Sequence, residues 1–130
     1  MFDHEKLIAY QKARQVNLKI QQLLKSLRVA DPFLKDQLHR AAISIVINIA
    51  EGTGRIGKKD RRNFYVISRG SAFECAAILD TFLDSEVIQE NLVIQIKNEL
   101  EEVSRLLSGL ILSLDETRPK RAPSKLDSSF

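Results

Sequence analysis

The sequence predicts an all-α protein that folds as an antiparallel up-down-up-down four-helix bundle. Apolar residues recur every three or four positions through four segments, and no segment alternates as a β-strand does. Short connections join these segments, which favours consecutive helices lying side by side in opposite directions. The chain has 130 residues, of which 44% are hydrophobic and 28% charged, and this suits one globular domain with one core.

The first two helices are predicted over residues 3–27 and 32–51. Asp31 can cap the second helix, and the proline that follows occupies the first helical position. Gly52 and Gly54 can adopt the left-handed conformation in which helices often end. The apolar face of the first helix consists of Leu7, Tyr10, Ala13, Val16, Ile20, Leu24 and Leu27.

The third helix is predicted to begin after Gly57 and to end before a short connection over residues 85–90. Its inward residues alternate steps of four and three, as in a left-handed bundle: Phe64, Ser68, Ser71, Cys75, Ile78 and Phe82. The fourth helix carries the apolar residues Val93, Ile96, Leu100, Val103, Leu107, Leu110 and Leu114. We therefore expect a four-helix bundle over residues 1–116 and a flexible basic C-terminal tail over residues 117–130.

Several features of the sequence favour a cytoplasmic protein. Cys75 is the single cysteine, so no intrachain disulfide can form. The N-terminal sequence lacks the apolar core of a signal peptide. The longest apolar run, residues 41–50, is too short to span a bilayer. We therefore expect no membrane partner.

Positive charge is concentrated between the second and third helices. Five cations, which we call the basic pole, lie within eight residues there: Arg55, Lys58, Lys59, Arg61 and Arg62. The bundle topology places them near the cations of the tail, Arg118, Lys120, Arg121 and Lys125. Cations at a helix N-terminus oppose the helix dipole, so local helix stability does not explain Lys58 and Lys59. Contacts with nucleic-acid phosphates would explain them, and a solvated charged turn is the alternative.

A polar stripe runs along the otherwise apolar second helix and faces polar residues of the third. The predicted structural polar network comprises Arg40, Ser44, Asn48, Glu51, Arg69, Ser71 and Glu74. If the hairpin turns near residues 55–57, Arg40 lies level with Glu74, and we expect these two to form an ion pair. Gly70 is costly inside a helix, and close approach of the second and third helices would account for it.

The second and third helices also carry a family resemblance. The segments QLHRAAISIVINIAEGTGR and RNFYVISRGSAFE resemble the 23S rRNA-intervening-sequence protein family. The matching residues are Gln37, Arg40, Ala41, Ser44, Asn48, Ile49, Ala50, Glu51, Gly52, Arg55, Phe64, Arg69, Gly70, Ser71 and Glu74. The resemblance implies a bacterial four-helix protomer in a homopentameric ring, with no enzymatic activity and a poorly defined role. It also implies a distant likeness to accessory proteins of diversity-generating retroelements, which bind a reverse transcriptase and nucleic acid.

The apolar content independently favours an oligomer. On the second helix Ile43, Val46, Ile47 and Ala50 exceed what one bundle core covers, as do Leu92, Ile94, Leu106 and Leu112 on the fourth. Exposed apolar patches of that size are rare on monomers, so a second subunit would cover them. Wide core packing within one subunit is the alternative.

Candidate catalytic groups are few. The histidines are His4 and His39, and no zinc, redox or phosphate-loop motif occurs. We therefore expect no enzyme, no cofactor, no metal and no small-molecule substrate. The leading hypothesis is a non-catalytic homo-oligomer that binds RNA, or a nucleic-acid enzyme, through the basic pole. A protein-protein interaction scaffold is the second hypothesis, and an enzyme built on His39, Arg40 and Glu74 is the third.

Overall fold

The computed structural model describes residues 1–115, and this part of the chain contains four α-helices and no strand. A 3-10 turn at Asp3–Lys6 precedes α1 (Ile8–Ser26), α2 (Pro32–Gly54), α3 (Lys58–Asp84) and α4 (Glu90–Ser113). The tail predicted over residues 117–130 lies outside the described residues. No helix in residues 1–115 is long and apolar enough to cross a membrane.

All four helices surround one apolar core. Each helix packs against two others, in the pairs α1–α2, α2–α3, α3–α4 and α1–α4. Ile20, Ile45, Leu79 and Leu107, one from each helix, are fully buried. Burying a side chain of this size stabilises the fold by about 1.5–3 kcal/mol. The apolar residues that recur with the helical period therefore pack together and stabilise the bundle.

The start of α2 confirms its predicted cap, whereas its end differs from the prediction. The Asp31 carboxylate accepts a hydrogen bond of 2.8 Å from the backbone N–H of Phe33. At the other end the helix continues through Gly54, and no glycine in residues 1–115 has a positive φ. The expected left-handed stop at Gly52 and Gly54 is therefore wrong. The helix continues because Gly52 and Thr53 are buried against α3.

The first helix also differs from its predicted bounds. Residues 3–6 form a 3-10 turn, and Leu7 is extended, so the α-helix begins only at Ile8. The amide N–H of Leu7 bonds the His4 carbonyl at 3.1 Å, and the Gln11 side chain donates to the Glu5 carbonyl at 3.0 Å. These bonds fold the N-terminal segment back beside α1, and the segment packs against α2.

The inward face of α3 follows the predicted steps except at its beginning. Ser68, Ser71, Cys75, Ile78 and Phe82 are buried as expected, whereas Phe64 is only half-buried and Tyr65 is buried instead. Burial raises the pKa of the Cys75 thiol to about 12, and the charge of Glu74 adds to the shift. Cys75 is therefore a protonated thiol that packs as a small core side chain.

Hydrogen-bonded pairs fix the register between α2 and α3. Thr53 Oγ1 lies 2.8 Å from the Tyr65 hydroxyl, and Ser44 Oγ lies 2.8 Å from Ser71 Oγ. Between these pairs, Ser68 Oγ donates to the Ile45 carbonyl at 2.7 Å. Residue numbers rise along α3 as they fall along α2, as the predicted hairpin requires.

Two glycines of this hairpin lie in opposite surroundings. A Cβ atom at Gly52 would lie 3.0 Å from Phe64 Cβ, 3.0 Å from Tyr65 Cε1 and 3.1 Å from the Arg61 carbonyl oxygen. A Cβ atom at Gly70 would have nothing within 4 Å. The close helix approach expected at Gly70 is therefore wrong within this chain, and it occurs at Gly52 instead.

Candidate nucleic-acid-binding surface

The turn between α2 and α3 is held by one of its own cations. Arg61 Nε donates to the Arg55 carbonyl at 2.9 Å, and Arg61 Nη2 donates to the Thr53 carbonyl at 3.3 Å. These carbonyls belong to the end of α2, where the helix leaves backbone acceptors without intrahelical partners. Arg61 therefore has a structural role in the basic pole.

Arg55 is also engaged within the chain, although less tightly. Its Nη2 lies 3.3 Å from Glu51 Oε2, and both side chains are about half exposed. Its guanidinium lies over the Phe64 ring, 4.7 Å from the ring centroid. An exposed ion pair contributes little to stability, so Arg55 can exchange this partner for another anion at small cost.

Lys59 and Arg62 present the most available charge of the basic pole. Both are exposed, and within residues 1–115 neither side chain forms a hydrogen bond or an ion pair. Together with Gly57 and Lys58 they line a shallow depression of about 560 Å³ that also touches Leu114 and Asp115. The α2–α3 turn therefore lies beside the end of α4. The tail cations expected at this end lie outside the described residues.

Three members of the predicted polar network form a directional chain of hydrogen bonds. Asn48 Nδ2 donates to Ser44 Oγ at 2.9 Å and to the Ser44 carbonyl at 2.8 Å. Ser71 Oγ donates to the Ile67 carbonyl at 3.1 Å, so the proton between the two serines comes from Ser44. This chain of hydrogen bonds joins α2 to α3, and its polar groups find their partners inside the protein.

The charged members of the network are not joined to it. Arg40 Nε bonds Asp36 Oδ2 at 2.9 Å, one turn earlier on α2, and its side chain is 75% exposed. Glu74 is exposed on α3. The predicted Arg40–Glu74 ion pair is therefore wrong. Both side chains are exposed, and Asp36 is the acidic partner that Arg40 bonds.

Arg69 and Glu51 likewise have other partners. Arg69 Nε donates to Ser108 Oγ of α4 at 2.9 Å, and its guanidinium lies 4.6 Å from the centroid of the Phe73 ring. Glu51 bonds Arg55, as described above. The seven network residues thus divide into a polar chain between α2 and α3 and separate surface contacts.

Sequence reasoning missed an aromatic group close to the basic pole. The Phe2 ring stacks on the His4 ring, with centroids 5.7 Å apart and planes 19° apart. The His4 and Tyr10 rings make an edge-to-face contact with centroids 4.7 Å apart, and the Arg14 guanidinium lies 5.9 Å from the centroid of the Tyr10 ring. Phe2 and His4 border a groove with Arg55 at the end of α2. No periodicity in the sequence indicates this contact, because it depends on the 3-10 turn.

The residues of the enzyme hypothesis do not converge. His39 Nδ1 bonds the Gln21 side-chain oxygen at 2.6 Å, Arg40 bonds Asp36, and Glu74 lies on another helix face. Among residues 1–115, no three His, Cys, Asp or Glu residues group closely enough to hold a metal ion.

A family model described as 23S rRNA-intervening sequence protein matches residues 5–109. The chain belongs to this family. The resemblance carried by α2 and α3 is therefore confirmed. A search of curated proteins gave no match.

A solved structure has a fold similar to that of this chain. It is the crystal structure of a protein of unknown function from the S23 ribosomal protein family of Bacteroides thetaiotaomicron VPI-5482. The two chains share 24% sequence identity and superpose with a TM-score of 0.77 over 80% of this chain and 98% of the other. This likeness shows a common helical-bundle fold.

Proposed function

We propose that this family member is a non-catalytic homo-oligomer that binds nucleic acid, specifically RNA, through its basic pole. The proposal includes an antiparallel up-down-up-down bundle, a pentameric ring and a cytoplasmic location. The register of the α2–α3 hydrogen bonds supports antiparallel neighbours. The chain has a net charge of only +3, so its cations must be concentrated to bind a polyanion.

The availability of Lys59 and Arg62 carries the RNA-binding proposal. Arg61 holds the turn and Arg55 has partners on its own surface, whereas Lys59 and Arg62 lack partners within residues 1–115. Lys59 lies in the first turn of α3, where a positive charge costs a few tenths of a kcal/mol. A phosphate backbone offsets that cost, because each cation that contacts a phosphate releases condensed counterions.

Exposed apolar side chains support the oligomer. Ile43 of α2 is 37% exposed, and Leu92 and Ile94 of α4 are 36% and 51% exposed. Ile47, also expected on this surface, instead lines a groove with the N-terminal segment. Leu106, expected on this surface, is instead buried in the core. Covering two different faces would give the head-to-tail contacts of a closed ring. Light scattering coupled to size exclusion should give the mass of five chains, and a monomer mass would contradict the ring.

The RNA-binding proposal is tested by fluorescence anisotropy of a labelled, structured rRNA fragment at two salt concentrations. The double variant Lys59→Gln/Arg62→Gln removes two charges without removing a bond that holds the turn. We expect weaker binding and a log–log salt slope smaller by roughly 1–2, about one unit per lost phosphate contact.

A matched control removes two cations at the opposite end of the bundle. Lys25 and Arg28 are exposed near the end of α1, so Lys25→Gln/Arg28→Gln changes the net charge equally. Equal losses in both variants would indicate nonspecific attraction and would contradict a binding role for the basic pole. An absence of binding to the unmodified protein at low salt would reject the RNA proposal.

The protein scaffold remains a second candidate because of a groove between α3 and α4. The groove has a volume of about 600 Å³ and is bordered by Phe73 and Ile94, which are 54% and 51% exposed. Lys97 and Asp80 close part of its edge through an ion pair of 2.7 Å. Pull-down of a protein partner that survives Lys59→Gln/Arg62→Gln and is lost with Phe73→Ala would favour this role.

A further inference from the structure

The N-terminal segment and the end of α2 form a groove of about 450 Å³ next to the basic pole. Its lining includes Phe2, His4, Ile47, Glu51, Gly54 and Arg55. We propose that this groove binds one unpaired nucleobase of an RNA, an inference that rests on the RNA binding proposed above. The groove would add base contacts to the phosphate contacts of the basic pole.

The aromatic wall of the groove provides a stacking surface. Phe2 is 73% exposed, yet its ring is stacked on His4 and thereby oriented. His4 is itself held by an edge-to-face contact with Tyr10. Proteins bind unpaired bases by stacking them on aromatic or histidine rings, and each such stack contributes substantially to affinity.

The groove is also lined by polar groups suited to a nucleotide. The Glu51 carboxylate accepts hydrogen bonds only, so it can receive the N–H groups of a base edge. Arg55 beside it can move from its half-exposed contact with Glu51 to a phosphate. Arg55 belongs to both the groove and the basic pole, so it connects the two surfaces.

Gly54 keeps the groove open where α2 ends. Its φ is not in the left-handed region, and an added Cβ atom would have nothing within 4 Å. Neither the backbone nor the packing of this chain therefore requires glycine at this position. A side chain here would extend into the space beside Ile47 and Arg55, whereas glycine leaves that space for a ligand.

The size of the groove favours a single base over a duplex as the occupant. A groove of this volume accepts a base only after that base has left its stack, so the ligand is a single-stranded overhang, loop or bulge. The phosphates on either side of that base would then follow the cations from Arg55 toward Lys59 and Arg62.

The test uses a labelled RNA hairpin with a short single-stranded overhang, and the same hairpin with an abasic overhang. The untagged protein should bind the complete overhang roughly tenfold more tightly than the abasic one. Phe2→Ala and Gly54→Leu should remove this preference, the first by deleting the stacking ring and the second by filling the groove. Leucine is a better helix residue than glycine, so Gly54→Leu should fold at least as well.

Phe33→Ala is the matched control, because Phe33 is 66% exposed at the opposite end of α2. It should retain the preference. Equal affinity of the unmodified protein for both hairpins would overturn the groove inference, while a salt-dependent loss in Lys59→Gln/Arg62→Gln would still support the basic pole. A change of oligomer mass in Gly54→Leu would show that a second copy occupies the groove, and this would also overturn the inference.

Discussion

Gly52 and Gly70 occupy the same hairpin, yet they are glycines for opposite reasons. At Gly52 the backbone of α2 approaches α3 so closely that a methyl group would lie 3.0–3.1 Å from atoms of Phe64, Tyr65 and Arg61, closer than ordinary van der Waals contact. At Gly70 the surrounding space is open, and the residue is exposed. Packing within the chain therefore explains the first glycine and does not explain the second.

The comparison shows how a residue that is unfavourable inside a helix should be interpreted. Glycine costs about 1 kcal/mol relative to alanine in a helix interior. At Gly52 close packing offsets this cost within one chain. At Gly70 the offset must come from outside the chain, and the exposed apolar Ile67 on the same helix is consistent with contact by a second subunit.

The largest effect is expected from Gly52→Val. The added side chain overlaps backbone and core atoms of α3, so the free energy of unfolding should fall by about 3 kcal/mol. Urea denaturation followed by circular dichroism measures this loss. Unchanged stability would mean that α2 and α3 can separate at this level, and the contrast with Gly70 would disappear.

Tyr65→Phe should have a smaller effect beside the same glycine. Thr53 donates its proton to the Ile49 carbonyl, so the Tyr65 hydroxyl is the donor in the Thr53–Tyr65 bond. Removing the Tyr65 hydroxyl should lower the free energy of unfolding by about 1 kcal/mol. Thr53 would still donate to the Ile49 carbonyl and would lose only the hydrogen bond that it accepts. Thermal melts of the two proteins provide the measurement, and a loss above about 3 kcal/mol would require a further buried partner.

Gly70→Ala should change stability in the opposite direction. With open space around the new methyl group, the protomer should gain roughly 0.5–1 kcal/mol from helix propensity. If a second subunit approaches Gly70 closely, the same variant should weaken the oligomer. Dilution series followed by mass measurement separate the two effects, and a less stable protomer would contradict the open surroundings.

Arg40→Ala should have the smallest effect. If Arg40 were paired with Glu74 in the interior, the free energy of unfolding would fall by several kcal/mol. The observed pair with Asp36 is exposed, so we expect a decrease of less than about 0.5 kcal/mol. A loss of several kcal/mol in a chemical denaturation experiment would restore the buried-pair interpretation.

The sequence predicted features that depend on local chemistry or on a period. The Asp31 cap and the inward face of α3 belong to this group, because a carboxylate before proline and a repeated apolar spacing each act within a few turns. The hairpin register predicted Ser44 level with Arg69, whereas the structure pairs Ser44 with Ser71, two residues further along α3. The helical period did not predict which face of its helix Arg40 occupies relative to α3. That depends on the rotation of each helix, which the packing of all four determines together.

The candidate site was predicted only in part. The charge of the basic pole is visible in the sequence. Which of its cations hold the turn and which remain available for a ligand is not, because this depends on which carbonyls Arg61 bonds. Phe2 could not be assigned to the site from spacing. Its position requires a 3-10 turn, an extended Leu7 and the docking of α1, and no short sequence pattern specifies that combination.

The short turn between α2 and α3 also bears on the order in which the molecule assembles. Closing a loop of a few residues costs little entropy, and contacts close in sequence form early. We therefore expect the α2–α3 hairpin to form before the N-terminal segment reaches the end of α2. In pulse-labelled hydrogen exchange, amides of the hairpin should be protected first. The groove between the N-terminal segment and the end of α2 would then be among the last parts of the protein to form, so a newly synthesised chain would present its charged surface before this groove is complete.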